Sequence, residues 1–102
     1  MKILLFGGEG QLGHEIRKRA EAWNAVITAP LEQNLDICSL RAVQEITAEI
    51  RPDCIINAAA YTAVDRAESD VEKAFRVNEE GARCIATAAR GSGARVLQVS
   101  TD

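Results

Sequence analysis

The chain has 102 residues, 47% apolar and 26% charged, with a formal net charge of −3. That length holds at most one domain, near the small end for a parallel-sheet fold. The acidic balance and scattered basic residues give no support to nucleic-acid binding, and no apolar run approaches the ~20 residues of a membrane span.

Met1–Phe6 is a nearly unbroken apolar run, too short for a signal-peptide core but suited to a strand buried on both faces of a parallel sheet. It leads into Gly7-Gly8-Glu9-Gly10-Gln11-Leu12-Gly13, with glycines at 7, 10 and 13, and then into a helical pattern. Strand, glycine turn, helix is the context a dinucleotide-binding loop needs. Glycine takes positive φ in the turn, and without a Cβ its backbone N–H groups approach a pyrophosphate at the positive end of the helix. A plain structural turn satisfies the spacing too. Leu12-Gly13-His14 stands where a P-loop would have Gly-Lys-Ser/Thr, which disfavours a nucleoside triphosphatase.

The first helix is expected from Gln11 to Ala22, with Leu12, Ile16 and Ala20 on one face. Arg17-Lys18-Arg19 suits its negative end, and Asn24 closes it. Ala25–Thr28 reads as a second strand stopped by Pro30, with Leu35-Asp36-Ile37 as a stub of edge strand. Ser39 caps a helix running to Ile50 on a stripe of Leu40, Val43, Ile46 and Ile50. Pro52 moves Arg51 out of the helical region. Asp53–Asn57 is the next buried strand, Ala58–Thr62 its exit loop, and Val64–Glu68 a short helical turn.

Ser69 or Asp70 caps a long helix to about Arg90, with Val71, Phe75, Asn78, Ala82, Ile85, Ala86 and Ala89 inward. Gly91-Ser92-Gly93 breaks it, and Arg95–Val99 is the last strand. The alternation predicts an α/β, doubly wound, Rossmann-like parallel sheet with right-handed crossovers. Ser100-Thr101-Asp102 falls at the carboxyl end of that strand, where open parallel sheets bind ligands. Residues 1–102 therefore read as a nucleotide-binding domain fragment, a truncated N-terminal portion whose last strand is left as a sheet edge.

Four segments carry a family resemblance. They are Leu4–Gly13, Leu35-Asp36-Ile37, the block Ile56-Asn57-Ala58-Ala59-Ala60-Tyr61-Thr62-Ala63-Val64-Asp65-Arg66-Ala67-Glu68, and Ser100-Thr101-Asp102. With these the chain resembles the dTDP-4-dehydrorhamnose reductases of the extended short-chain dehydrogenase/reductase superfamily, over about the first third of a typical member. The long block is much more specific than the glycine spacing.

The resemblance implies reduction of dTDP-4-dehydro-L-rhamnose to dTDP-L-rhamnose with NADPH or NADH. It places Gly10, Gln11 and Leu12 at the pyrophosphate, within the cofactor-binding glycine motif that includes Gly7 and Gly13, and Asp36 and Ile37 near the adenine. Ala60, Tyr61, Thr62 and Val99 line the cofactor. Thr101 and Asp102 contact the nucleotide-sugar substrate, and the Thr101 hydroxyl serves catalysis by hydrogen-bonding the keto oxygen, where hydride addition places negative charge. The family's proton donor lies in a Tyr-x-x-x-Lys motif that these residues lack, since Asp65 stands four after Tyr61. The fragment alone is therefore expected to be inactive.

Several residues have plainer readings. Asp36 also suits a turn near Ser39. Ala29 and Pro30 supply neither an acid for a ribose 2′-OH nor an Arg for a 2′-phosphate, so the choice between NADH and NADPH stays open. Asn57 reads as a strand-end cap, Asn78 as a buried structural hydrogen bonder, and Trp23 and Phe75 as core or core-edge packing. Glu15 matches a position of metal-linked dimer contacts in some relatives, which makes a homodimer possible, but is read as a surface residue. His14 faces solvent and offers no zinc site. Cys38, Cys54 and Cys84 read as reduced structural thiols of a cytoplasmic protein. A non-catalytic NADP-binding regulatory subunit is the alternative function, while the Ala-Tyr-Thr-Ala-Val-Asp block disfavours an epimerase or dehydratase.

Overall fold

The computed structural model describes residues 1–59 and 71–99. In chain order the elements are β1 (Lys2–Phe6), α1 (Gln11–Ala22), β2 (Val26–Thr28), α2 (Leu40–Ile50), β3 (Cys54–Asn57), α3 (Val71–Ser92) and β4 (Arg95–Gln98). The strands form one parallel sheet in the order β2-β1-β3-β4, the doubly wound α/β architecture expected. The chain steps outward from β1 to β2 and then returns past β1 to β3. That reversal puts the topological switch point between β1 and β3.

β1 is buried because it feeds both layers. Leu4 and Phe6 pack with Ile55, Val43 of α2, and Cys84, Ile85, Ala88 and Ala89 of α3. Ile3 and Leu5 face the other way, with Ile56, Ala58 and the half-buried Leu12 and Ile16 of α1. Thr47 stays in the buried stripe of α2 because its hydroxyl donates to the Val43 carbonyl at 2.7 Å. β4 is the contrast: all of it is exposed, and Leu97 remains 56% accessible at the sheet edge.

Each of α1, α2 and α3 stops on a left-handed residue, at Asn24 (φ 54°), Arg51 (φ 51°) and Gly93 (φ 76°). Around Asn24 the N–H groups of Asn24 and Ala25 bond back to Glu21 and Ala20, a Schellman closure. Arg51 leaves the helical region as expected of a residue before proline, but into the left-handed well rather than an extended one.

Five expectations need correction. Leu35–Ile37 is not a strand: the Asp36 carboxylate accepts the Cys38 N–H at 2.9 Å, which folds the segment into a turn. Trp23 is 62% exposed rather than core, because it lies at the C-cap of α1. Ala86 points outward, and Cys84 and Ala88 hold the inner stripe with Ile85 and Ala89. α3 continues through Gly91 and Ser92, the Ser92 hydroxyl donating to the Ala89 carbonyl, and breaks only at Gly93. Asn78 Oδ1 is buried with no hydrogen-bond partner among the described residues, so no structural bond accounts for it. The expected helical turn at 64–68, the caps at Ser69 or Asp70, and the side chains of Val71 and Phe75 lie outside what is described.

Candidate functional site

β1 ends at the switch point, and Gly7 turns the chain there. Its φ of +80° is a conformation that favours glycine. A Cβ at Gly7 would also run into the backbone of Ala58 and Ala59, just beyond β3. At Gly13 a Cβ would overlap Gly8 Cα and stand 2.5 Å from the Gly7 carbonyl oxygen. These two glycines let α1 pack directly on the turn. Gly10 has a different part: it is the α1 N-cap, in an extended conformation with φ −80° and ψ 176°.

The first intrahelical bond of α1 runs from the His14 N–H to the Gly10 carbonyl at 3.0 Å. The N–H groups of Gln11, Leu12 and Gly13 precede it and have no acceptor within the helix. Among the described residues no side chain caps them, and the first turn carries no acidic residue. The outcome is a row of donors at the positive end of a helix dipole, which is an anion-binding arrangement.

Beside this turn lies a cleft of about 210 Å³ lined by Phe6, Gly7, Glu9, Pro30, Glu32, Leu35, Asp36, Ile37, Ala59 and Val77. Phe6, Leu35, Ile37, Ala59 and Val77 give it apolar walls, while Glu9, Glu32 and Asp36 give it an acidic rim. The Glu32 N–H donates to Glu9 Oε1 at 2.7 Å and ties the segment after β2 to the glycine turn. Asn57, only 1% exposed, fixes the opposite wall. Its Oδ1 accepts the Ala59 N–H at 3.0 Å and its Nδ2 donates to Gln98 Oε1 at 2.9 Å, so it caps the end of β3 as expected.

The structure thus brings Gly7, Asp36 and Ile37 into one cleft, with Gly10, Gln11, Leu12 and Gly13 on the adjoining turn and helix start. Asp36 holds a turn, as its plainer reading has it, and also lines the cleft. Val99 follows β4 and packs on the α1 side of the sheet, against the cluster of Ile3, Leu5, Ile56 and Ala58. Ala60, Tyr61, Thr62, Thr101 and Asp102 lie outside the described residues. Glu9, Glu32 and Val77 are wall residues that the sequence reading passed over. Glu9 sits inside the glycine motif, which was the available signal. The other two reach the cleft only through the fold.

A larger open crevice, about 1110 Å³, lies at the opposite end of the sheet beside Arg51, Pro52, Gly91 and Gly93. α2 and α3 end there, so the helices present carbonyl groups and negative dipole ends, the wrong polarity for a phosphate. All three cysteines are free. Burial pushes the thiols of Cys38, Cys54 and Cys84 above their ordinary range, which keeps them protonated at neutral pH. Among the described residues no group of three or more His, Cys, Asp or Glu is placed to hold a metal. No helix among them is long and apolar enough to cross a membrane.

The RmlD substrate binding domain family matches residues 1–102, the whole chain. The chain belongs to this family. A dTDP-4-dehydrorhamnose reductase of Streptomyces griseus is 44% identical over 99 residues, covering 97% of this chain and 33% of the relative. The RmlD-family chain therefore spans about a third of the length of the curated relatives it matches. Among solved structures, a dTDP-4-dehydrorhamnose reductase from Clostridium acetobutylicum is 40% identical with a TM-score of 0.85, over 98% of this chain and 36% of that one. The Bacillus anthracis dTDP-4-dehydrorhamnose reductase is 36% identical with a TM-score of 0.80, over 93% of this chain and 34% of that one; its structure is a complex with NADP.

Proposed function

We propose that this chain is the cofactor-binding part of an NAD(P)H-dependent reductase that converts dTDP-4-dehydro-L-rhamnose to dTDP-L-rhamnose. The observation that carries the reading is the uncapped N-terminus of α1, opening at the β1/β3 switch point. A pyrophosphate there accepts from the N–H groups of Gln11 and Leu12, with Gly10 giving its backbone room to approach. The adenosine end then extends over Asp36 and Ile37. Bound NADPH or NADH supplies the hydride for the sugar's keto carbon. Ala60, Tyr61, Thr62 and Val99 line the cofactor, Thr101 donates a hydrogen bond to the keto oxygen, and Asp102 meets the nucleotide sugar. By itself the chain binds cofactor without turnover, because its only tyrosine is Tyr61 and no Lys stands four residues on.

Calorimetric titration with NADPH and NADH tests this reading, with Gly10→Val as the control. The valine Cβ displaces the pyrophosphate sterically, removing one or two charge-assisted bonds of ~1.5–3 kcal/mol each and weakening affinity at least about tenfold. A variant with native circular dichroism and undiminished affinity contradicts the cradle. Steady oxidation of NADPH by the chain with the keto-sugar nucleotide contradicts the inactivity.

A further inference from the structure

α3 passes directly behind the turn that carries Asp36 and Ile37, and three points along one stripe of the helix touch it. The Cys38 thiol donates to the Val77 carbonyl at 3.9 Å, and the Cys84 thiol donates to the Cys38 carbonyl at 3.6 Å. Between Val77 and Cys84 lies Gly81, buried near the middle of the helix. A Cβ on Gly81 would overlap Ile37 Cδ1 and stand 2.9 Å from Ile37 Cγ1.

Glycine is a poor residue for a helix interior, where it lowers stability relative to alanine. Gly81 does not have the positive φ that would require glycine; among the glycines only Gly7 and Gly93 do. What its missing side chain does provide is room. Ile37 lies back against the helix backbone, and its other side forms part of the apolar wall of the cleft with Phe6, Leu35, Ala59 and Val77.

The turn has little freedom to retreat if that room is filled. The Asp36 carboxylate holds the Cys38 N–H, the Ser39 N–H donates to the Asp36 carbonyl, and the two thiol contacts hold Cys38 against α3. An added methyl at position 81 therefore drives the Ile37 side chain toward the cleft.

We propose that Gly81 is a positioning residue for the cofactor site: its missing side chain seats Ile37 and keeps the cleft open to a flat apolar ring, the adenine of the dinucleotide. This rests on the reading of the cleft as the adenosine end of the cofactor site. Gly81 itself touches no ligand and acts through Ile37.

The test titrates the 102-residue chain with ADP and, separately, with inorganic pyrophosphate, which reports on the glycine turn alone. Four chains are compared: the natural one, Gly81→Ala, Ile37→Val, and Gly81→Ala with Ile37→Val, which removes the overlapping Cδ1; because Ile37 lines the cleft, the double variant is read against Ile37→Val alone. Gly81→Ala is expected to weaken ADP binding about tenfold, equivalent to ~1.4 kcal/mol of overlap. Its pyrophosphate affinity and helical circular dichroism stay as they were, and on the Ile37→Val background Gly81→Ala no longer weakens ADP binding. Unchanged ADP affinity in Gly81→Ala overturns the assignment, as does an equal loss when Gly81→Ala is introduced on the Ile37→Val background. If Gly81→Ala alone does not fold, the double variant decides. ADP binding by the double variant equal to that of Ile37→Val supports the assignment, and an unfolded double variant, or one that binds more weakly than Ile37→Val, contradicts it. A natural chain that binds pyrophosphate but not ADP sinks the adenosine reading and this inference with it, and leaves the glycine-turn cradle standing.

Discussion

Helices α1 and α2 both begin at the carboxyl edge of the sheet, and their first turns are finished in opposite ways. At α2, Ser39 Oγ accepts the Ala42 N–H at 3.3 Å, and Asp36 folds the preceding residues into a turn that leads the chain in. At α1 a glycine stands in the cap position, no side chain among the described residues accepts from the first turn, and the approach is bent through positive φ at Gly7. A helix that serves only the fold gains by satisfying its own end groups. One that leaves them open forgoes that stability and keeps the donors for an anion. Two helices of nearly equal length beside one small sheet thus contrast a capped N-terminus with an open one.

Gly13→Val attacks the α1 side hardest. Its side chain meets Gly8 and Gly7 backbone atoms that have no room to shift, so ~3 kcal/mol of stability should be lost in urea unfolding. A loss below ~1 kcal/mol would mean that α1 does not pack on the turn as described. Gly10→Asp converts the α1 end to the α2 kind. The new carboxylate occupies the open donors, so NADPH affinity should fall by at least about tenfold, while stability rises by a few tenths of a kcal/mol, ~0.3. Stability and affinity moving in the same direction would break the comparison.

Ser39→Ala is the converse, costing about 1 kcal/mol of stability and leaving cofactor affinity unchanged in the folded fraction. A matching fall in affinity would make α2 part of the cradle. Arg41→Ala should do least. Its pair with Glu45, four residues on, is 3.0 Å long, but the two side chains are 90% and 67% exposed. Unfolding should shift by under ~0.5 kcal/mol, which separates the Ser39 cap from the charge pair beside it.

Much of the fold was legible because local signals and burial agree. The apolar run of β1 is buried on both faces, and α1 spans Gln11–Ala22 with its Leu12, Ile16 and Ala20 face inward. The misses arise where a side chain competes with the backbone pattern. Asp36 takes the Cys38 N–H and turns a short apolar stretch that reads as strand. Ser92 bonds back to the Ala89 carbonyl and the helix keeps two residues beyond Arg90 before Gly93 ends it. Trp23 reads as core by type, but it stands at the end of α1, where neither layer covers it.

The site was legible in part. The glycine turn declares itself by spacing, yet the spacing does not distribute the work among its glycines. The fold assigns left-handed backbone to Gly7, close packing to Gly13 and the open cap to Gly10. Gly81 offered a signal, a glycine inside a long helix, but its meaning depends on Ile37, which lies 44 positions earlier and reaches it only through tertiary packing.

The most direct measurement is amide chemical-shift mapping of the chain titrated with NADPH. The largest, saturable shifts should fall on residues 7–13, with Gln11, Leu12 and Gly13 moving most as their open N–H groups gain an acceptor. Leu40–Ala42, at the capped start of α2, should stay near their free positions. Shifts concentrated at the α2 start, or saturation that leaves residues 10–13 unmoved, would contradict the assignment of α1 as the pyrophosphate-binding helix.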